Sequence, residues 1–138
     1  MDKENLLKKI NSINKNSLEE TLEIEFIDIG NDFLIAKMPV TSKVLQPDGV
    51  LHGGATAALA ESVGSAASYF SIDRDKQIVR GIDISCNHLK SVSEGFVYAK
   101  ATPIHKGRTT QIWEIKVTND NDNLISHCKL STMILNKR

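Results

Sequence analysis

Glu61 is the only charged residue between Gly53 and Phe70, in a run that reads GGATAALAESVGSAASYF. The other residues are small or apolar, without the polar stripe of a surface helix, and the pattern predicts a helix buried on all sides. A carboxylate in such a helix costs several kcal/mol unless it is paired, hydrogen-bonded or protonated. An ionised carboxylate can take a proton from water or attack an electrophilic carbon itself, so Glu61 is the first candidate for chemistry. The competing reading is a carboxylate bonded to backbone or to a side chain of another subunit. At the head of the same run, Gly53 and Gly54 open the helix. A helix N-terminus presents unpaired N–H groups and a positive dipole end, and glycine leaves them uncovered, although the pair would also suit a loop-to-helix transition.

The elements that must hold these residues are legible in outline. Residues 2 to 15 place Leu6, Leu7, Ile10 and Ile13 at helical spacing, which makes 1–16 an amphipathic N-terminal helix on a single domain spanning 1–138. Strands are predicted at Leu22–Ile29 and Phe33–Val40, split by Gly30-Asn31-Asp32, with a loop over 41–52 that contains Pro47-Asp48-Gly49. Four more follow the apolar helix: Gln77–Leu89, Phe96–His105, Thr109–Thr118 and Leu124–Leu135. One buried helix with about six strands on short turns implies an α+β fold, a curved antiparallel sheet wrapped around one long central helix. The alanines and glycines of that helix let the sheet approach closely.

Composition removes several function classes. Seventeen Lys and Arg balance seventeen Asp and Glu, so nothing electrostatic favours nucleic acid or an anionic membrane. Cys86 and Cys128 sit in strand-like runs and read as reduced sheet residues. The start MDKENLLKKI lacks a signal-peptide core and no apolar stretch is long enough to span a bilayer, so the expected location is the cytoplasm. His52, His88, His105 and His127 lack metal-site spacing, and neither a phosphate-binding loop nor a G-x-S-x-G elbow is present. No metal is expected.

The segment Gln46-Pro47-Asp48-Gly49-Val50-Leu51-His52-Gly53-Gly54-Ala55, continued by Ala60-Glu61-Ser62-Val63-Gly64-Ser65, resembles the signature of hotdog-fold acyl-CoA thioesterases of the phenylacetate type. Asn87-His88-Leu89-Lys90-Ser91, Pro103-Ile104-His105-Lys106-Gly107-Arg108 and Trp113-Glu114-Ile115 are similar to that branch as well. Within it the chain is most similar to the thioesterases of menaquinone synthesis, which hydrolyse 1,4-dihydroxy-2-naphthoyl-CoA, and to aryl-CoA proofreading relatives. The resemblance implies a dimer, or a dimer of dimers, with Gly53 of one chain facing Glu61 of its neighbour. The helix rise alone raises only a distance problem, because Glu61 lies about two turns, or roughly 11 Å, beyond Gly53.

The resemblance also assigns roles. Glu61 acts as base or nucleophile, the Gly53 N–H receives the thioester oxygen, and the Gln46 amide holds that carbonyl or the attacking water. His52 either orients the loop or polarises the carbonyl. Ser65, one turn after Glu61, either steadies the carboxylate or fills space. His88 and Lys90, on one strand face, and Lys106 and Arg108, flanking a hairpin glycine, would meet the phosphates of CoA. CoA is then part of the substrate and no other cofactor is implied. Phenylacetyl-CoA or medium-chain acyl-CoA is the alternative substrate, and an acyl-CoA binding module without turnover is the alternative of another class.

Overall fold

A computed structural model describes residues 2–138; Met1, the start of the expected N-terminal segment, lies outside the described residues. Strands β1 (Glu25–Gly30), β2 (Phe33–Pro39), β3 (Gln77–His88), β4 (Phe96–Lys106), β5 (Thr110–Asn119) and β6 (Leu124–Asn136) form one sheet in the order β1-β2-β4-β5-β6-β3. Every neighbouring pair is antiparallel. Strict alternation sets the two faces. In β2, Leu34, Ala36 and Met38 are buried while the residues between them are not, and β5 repeats the pattern with Trp113, Ile115 and Val117.

The buried face wraps around α3 (Gly53–Tyr69), the helix expected from the apolar run. Leu59, Ala60, Val63 and Ala67 of α3 join Met38, Ala99, Ile115 and Leu130 of the sheet in one core. Gly64 marks the tightest approach, since a Cβ there would lie 2.7 Å from Leu130 Cδ2. The C-terminal part of α3 is pinned by buried polar groups. Ser68 Oγ donates to Gln111 Oε1 at 2.8 Å, Thr132 Oγ1 lies 2.8 Å from Ser68 Oγ, and the Trp113 indole N–H donates to Gln111 Oε1 at 3.0 Å. With every member partnered, this network fixes the helix on β5 and β6. The fold is the expected α+β hotdog arrangement.

Several expectations are corrected. The apolar helix is not buried all round: its buried residues face the sheet, while Glu61 and Tyr69 are exposed. The first strand begins at Glu25 instead of Leu22, because Leu22 caps a short helix α2 (Leu18–Thr21) and Glu23 turns the chain with φ 59°. The loop over 41–52 contains a 3₁₀ turn at Ser42–Val44. The N-terminal helix α1 is Lys3–Ile13, somewhat shorter than expected. Asn11 clamps it to β1, donating to the Phe26 carbonyl at 2.9 Å and accepting from the Phe26 N–H at 2.7 Å.

Candidate active site

The loop before α3 is drawn tight by its own backbone. Gly49, at φ +88°, closes a turn in which the Gln46 N–H donates to the Val50 carbonyl at 2.8 Å. The His52 N–H donates to the Val44 carbonyl at 2.8 Å. His52 caps the helix, its Nδ1 accepting from the Gly54 N–H at 2.7 Å. Its carbonyl accepts from the Ala55 and Thr56 N–H groups at 3.0 and 3.2 Å. The Gly53 N–H is left without an acceptor among the described residues, and it sits at the positive end of the helix dipole. His52 thereby ties the loop to the first turn of α3 through its Nδ1.

Gln46, Gly53, His88 and Lys90 line one pocket of about 290 Å³ beside this donor. The Gln46 amide N–H donates to Asp48 Oδ1 at 2.9 Å across its own turn. His88 closes β3 at the edge of this pocket. Its Nδ1 is hydrogen-bonded to the buried Ser126 hydroxyl, and its Nε2 lies 2.8 Å from where a Cβ of residue 53 would stand. The ring therefore leans against the helix N-terminus, and only glycine leaves room for it. Lys90 does not share a strand face with His88, because β3 ends at His88 and the next two N–H groups both turn to the Ile125 carbonyl.

Glu61 and Ser65 occupy a different place. They line a groove of about 790 Å³ between α3 and the α1–α2 segment, with Ile10, Phe26, Tyr69 and Phe70 among its apolar walls. The Glu61 carboxylate is exposed and lies over Gly81 of β3, with Oε2 only 2.9 Å from the position of a Gly81 Cβ. At that point β3 bulges against β6, between Gly81 and Asp83. On the same groove Ser62 Oγ donates to Glu19 Oε1 at 3.0 Å. Burial opposes ionisation of Glu19, but its own backbone N–H and the hydroxyls of Ser17 and Ser62 outweigh that and hold its pKa below the usual carboxylate range.

Lys106 and Arg108 stand at the opposite end of the sheet from Lys90, around the β4–β5 turn. The Lys106 amine lies 3.5 Å from Asp32 Oδ1 and 5.6 Å from the centre of the Trp113 ring. Cys86 and Cys128 are free and face each other across β3 and β6; burial and the neighbouring Cys86 push the Cys128 thiol up, away from thiolate character. The chain thus brings Gln46, Gly53, His52 and His88 together at one end of α3 and keeps Glu61 and Ser65 apart from them.

Sequence reasoning overlooked Gly81, Ser126 and Glu19. A glycine inside a strand marks a bulge or a close approach, so Gly81 carried a usable signal. Glu19 carried none, since its partner is 43 residues away.

Residues 48–126 match the family described as the thioesterase superfamily. The 1,4-dihydroxy-2-naphthoyl-CoA hydrolase of Escherichia coli is 39% identical over 94% of this chain and 94% of its own length. The proofreading thioesterase EntH of Cronobacter turicensis is 42% identical over 94% and 93%. A mutant thioesterase of Pseudomonas aeruginosa superposes with a TM-score of 0.93 at 37% identity, covering 95% of this chain and 94% of that one. A thioesterase of Haemophilus influenzae follows with a TM-score of 0.91 at 39% identity, over 94% and 90%. The chain belongs to the thioesterase superfamily, with the hotdog fold. Its activity is that of a thioester hydrolase. No helix among the described residues is long and apolar enough to cross a membrane.

Proposed function

We propose that this thioester hydrolase cleaves aryl-CoA thioesters in the cytoplasm, with 1,4-dihydroxy-2-naphthoyl-CoA of menaquinone synthesis as the leading substrate, at sites completed by two copies of the chain. One observation carries the composite site: the free Gly53 N–H and the Glu61 carboxylate sit about two turns apart on one unbroken helix and open into separate cavities. A carbonyl group is only about 1.2 Å long, so the two groups of one chain do not reach one carbonyl. The other edge of β3 has no strand partner among the described residues. Antiparallel pairing of two such edges sets the His88 end of one strand beside the Gln77 end of its copy. A two-fold axis then carries the donor end of one α3 toward the carboxylate of the other. A dimer, or a dimer of dimers, satisfies this.

In this reading the thioester oxygen takes the Gly53 N–H at the dipole end of α3, with the Gln46 amide and the His88 ring beside it. Charge that develops on the oxygen is stabilised there by groups already in place. Glu61 of the neighbour removes a proton from water as the water oxygen bonds to the acyl carbon. The carbon–sulfur bond then breaks and the proton passes to the leaving CoA sulfur. Direct attack by Glu61 would instead give a mixed anhydride that water opens, and both routes need the same ionised carboxylate. Ser65 lies along the groove where an acyl group would rest. Lys90, Lys106 and Arg108 would meet the CoA phosphates, with no metal or other cofactor.

The apolar and aromatic walls of the Glu61 groove support an aryl acyl group. The test is kcat/KM, followed by thiol release, across aryl-, phenylacetyl- and medium-chain CoA thioesters. Highest values for the aryl members are expected; a maximum at the phenylacetyl or alkyl members would overturn the substrate assignment, and binding without thiol release would make the chain an acyl-CoA binding module. Mixing Glu61→Gln chains with Gly53→Pro chains tests the shared site. Heterodimers are expected to regain one working site, whereas a fully active monomer in sedimentation would contradict it.

A further inference from the structure

The groove beside Glu61 holds a second carboxylate that hydrolysis does not use. Glu19 is delivered by α2, from the part of the chain before the residues that match the family, and is held to α3 by the Ser62 hydroxyl. Ser62, Ser17 and the backbone N–H of Glu19 itself serve this carboxylate, which leaves open about one of the roughly four acceptor positions of an ionised carboxylate. Glu19 and Glu61 are the two charged residues lining the groove, and no Lys, Arg or His lines it with them. An acyl group that enters meets apolar walls and two negative charges with no cation between. Coulomb terms are strengthened where water is thinned.

Resting on the aryl-CoA reading above, we infer that Glu19 is a specificity-determining residue, which selects neutral acyl groups bearing a hydroxyl or similar hydrogen-bond donor and rejects acyl groups bearing a carboxylate. A ring hydroxyl brought to the open position of Glu19 makes a charge-assisted hydrogen bond. A plain aromatic ring shields that position from solvent and returns nothing for it. A carboxylated ring adds like-charge repulsion. A site built around a hydrogen bond discriminates against analogues that lack the partner far better than an apolar pocket does. Glu19 is tethered to Ser62 while the Glu61 side chain faces Gly81, and this inference gives Glu19 the acyl group and leaves the reacting carbonyl to Glu61.

The experiment measures binding and turnover separately on the full-length protein. Calorimetry on the Glu61→Gln protein, slowed at least ~10²-fold and used at short times with cleavage monitored by thiol release, gives Kd for hydroxybenzoyl-, benzoyl- and carboxybenzoyl-CoA. The same three are measured with Glu61→Gln/Glu19→Gln and Glu61→Gln/Glu19→Ala. Glutamine keeps a partner for Ser62, so the groove stays formed. The preference for hydroxybenzoyl over benzoyl is expected to fall about tenfold on loss of Glu19, the size of one charge-assisted hydrogen bond, while carboxybenzoyl-CoA binds more tightly. Ser62→Ala, which frees Glu19 from its tether, is expected to lower the same preference by a smaller factor. The ratios of kcat/KM in Glu19→Gln should follow the Kd ratios. Unchanged ratios in both Glu19 variants, with aryl esters still preferred over alkyl ones, would overturn the role of Glu19 alone. Wild-type protein that binds and cleaves alkyl esters in preference to all three aryl esters would overturn the aryl-CoA reading and this inference with it.

Discussion

The two ends of the α3 apparatus are built differently. At its N-terminus almost every polar group is already engaged: His52 on Gly54, Gln46 on Asp48, His88 on Ser126. The pocket there measures about 290 Å³, and the free donor is a backbone group that cannot rotate away. Two turns along, Glu61 stands exposed over a groove of about 790 Å³ whose walls are mostly apolar side chains. A thioester presents the same carbonyl whatever acid it carries, so the parts that receive that oxygen gain from rigidity. The acyl group is what varies between substrates, and the open region is where adjustment costs least. In the proposed mechanism, precision resides in the backbone end and choice in the side-chain end.

The strongest way to break this division is to disarm the carboxylate. Glu61→Gln keeps the shape and removes basicity and charge, so hydrolysis should fall by at least ~10²-fold, with circular dichroism and melting temperature unchanged. Activity within a few-fold of wild type would end the assignment. A milder probe shifts the carboxylate without altering it. Gly81→Ala puts a methyl group 2.9 Å from Glu61 Oε2, the mobile end of a flexible side chain. Stability should barely change while kcat drops by about tenfold to a hundredfold, the usual cost of small misplacement. An unchanged kcat would mean that the carboxylate is free to settle elsewhere and Gly81 does not position it.

Smaller effects test the backbone end. Ser126→Ala releases His88 Nδ1 and should lower kcat about fivefold, on the scale of one neutral hydrogen bond, with KM for CoA esters little moved. A rise in KM alone would return His88 to the phosphate role. The smallest changes belong to the cations. Lys90→Ala and Arg108→Ala should each raise KM about two- to fivefold, less at high salt, and leave N-acetylcysteamine thioesters unaffected. Lys106→Ala should do less still, because Asp32 already holds that amine. Equal losses on both kinds of thioester would show that these residues serve the fold.

Much of the fold could be read from periodicity and turns. The alternation of Leu34, Ala36 and Met38 and the small residues of α3 directly dictate a sheet closing on a helix. Strand ends moved by a residue or so, and Leu22 was misread because a left-handed Glu23 and a one-turn helix leave little trace in hydrophobic pattern. Glu61 stood out because charge is rare in an apolar helix, yet its exposure was hidden: a helix that waits for a neighbour and one that is already buried have the same composition. Gly53 was legible through the motif, whereas the reason it must be glycine lies in His88, 35 positions later in the chain. Pairs such as Glu19 with Ser62 depend on tertiary folding and write nothing into local sequence.

The free edge of β3 also bears on how a single chain behaves in solution. Along the twelve residues of β3, alternate backbone N–H and carbonyl groups point away from β6 with no strand partner among the described residues, and Ile82 stands 53% exposed. Such an edge is a template for any passing strand, its own kind or not. The bulge at Gly81 and the charges of Arg80 and Asp83 break its flatness and blunt that adhesion. A lone chain is therefore a sticky chain rather than an idle one. A substitution that straightens the bulge would show first as precipitation, before any loss of catalytic rate per folded molecule.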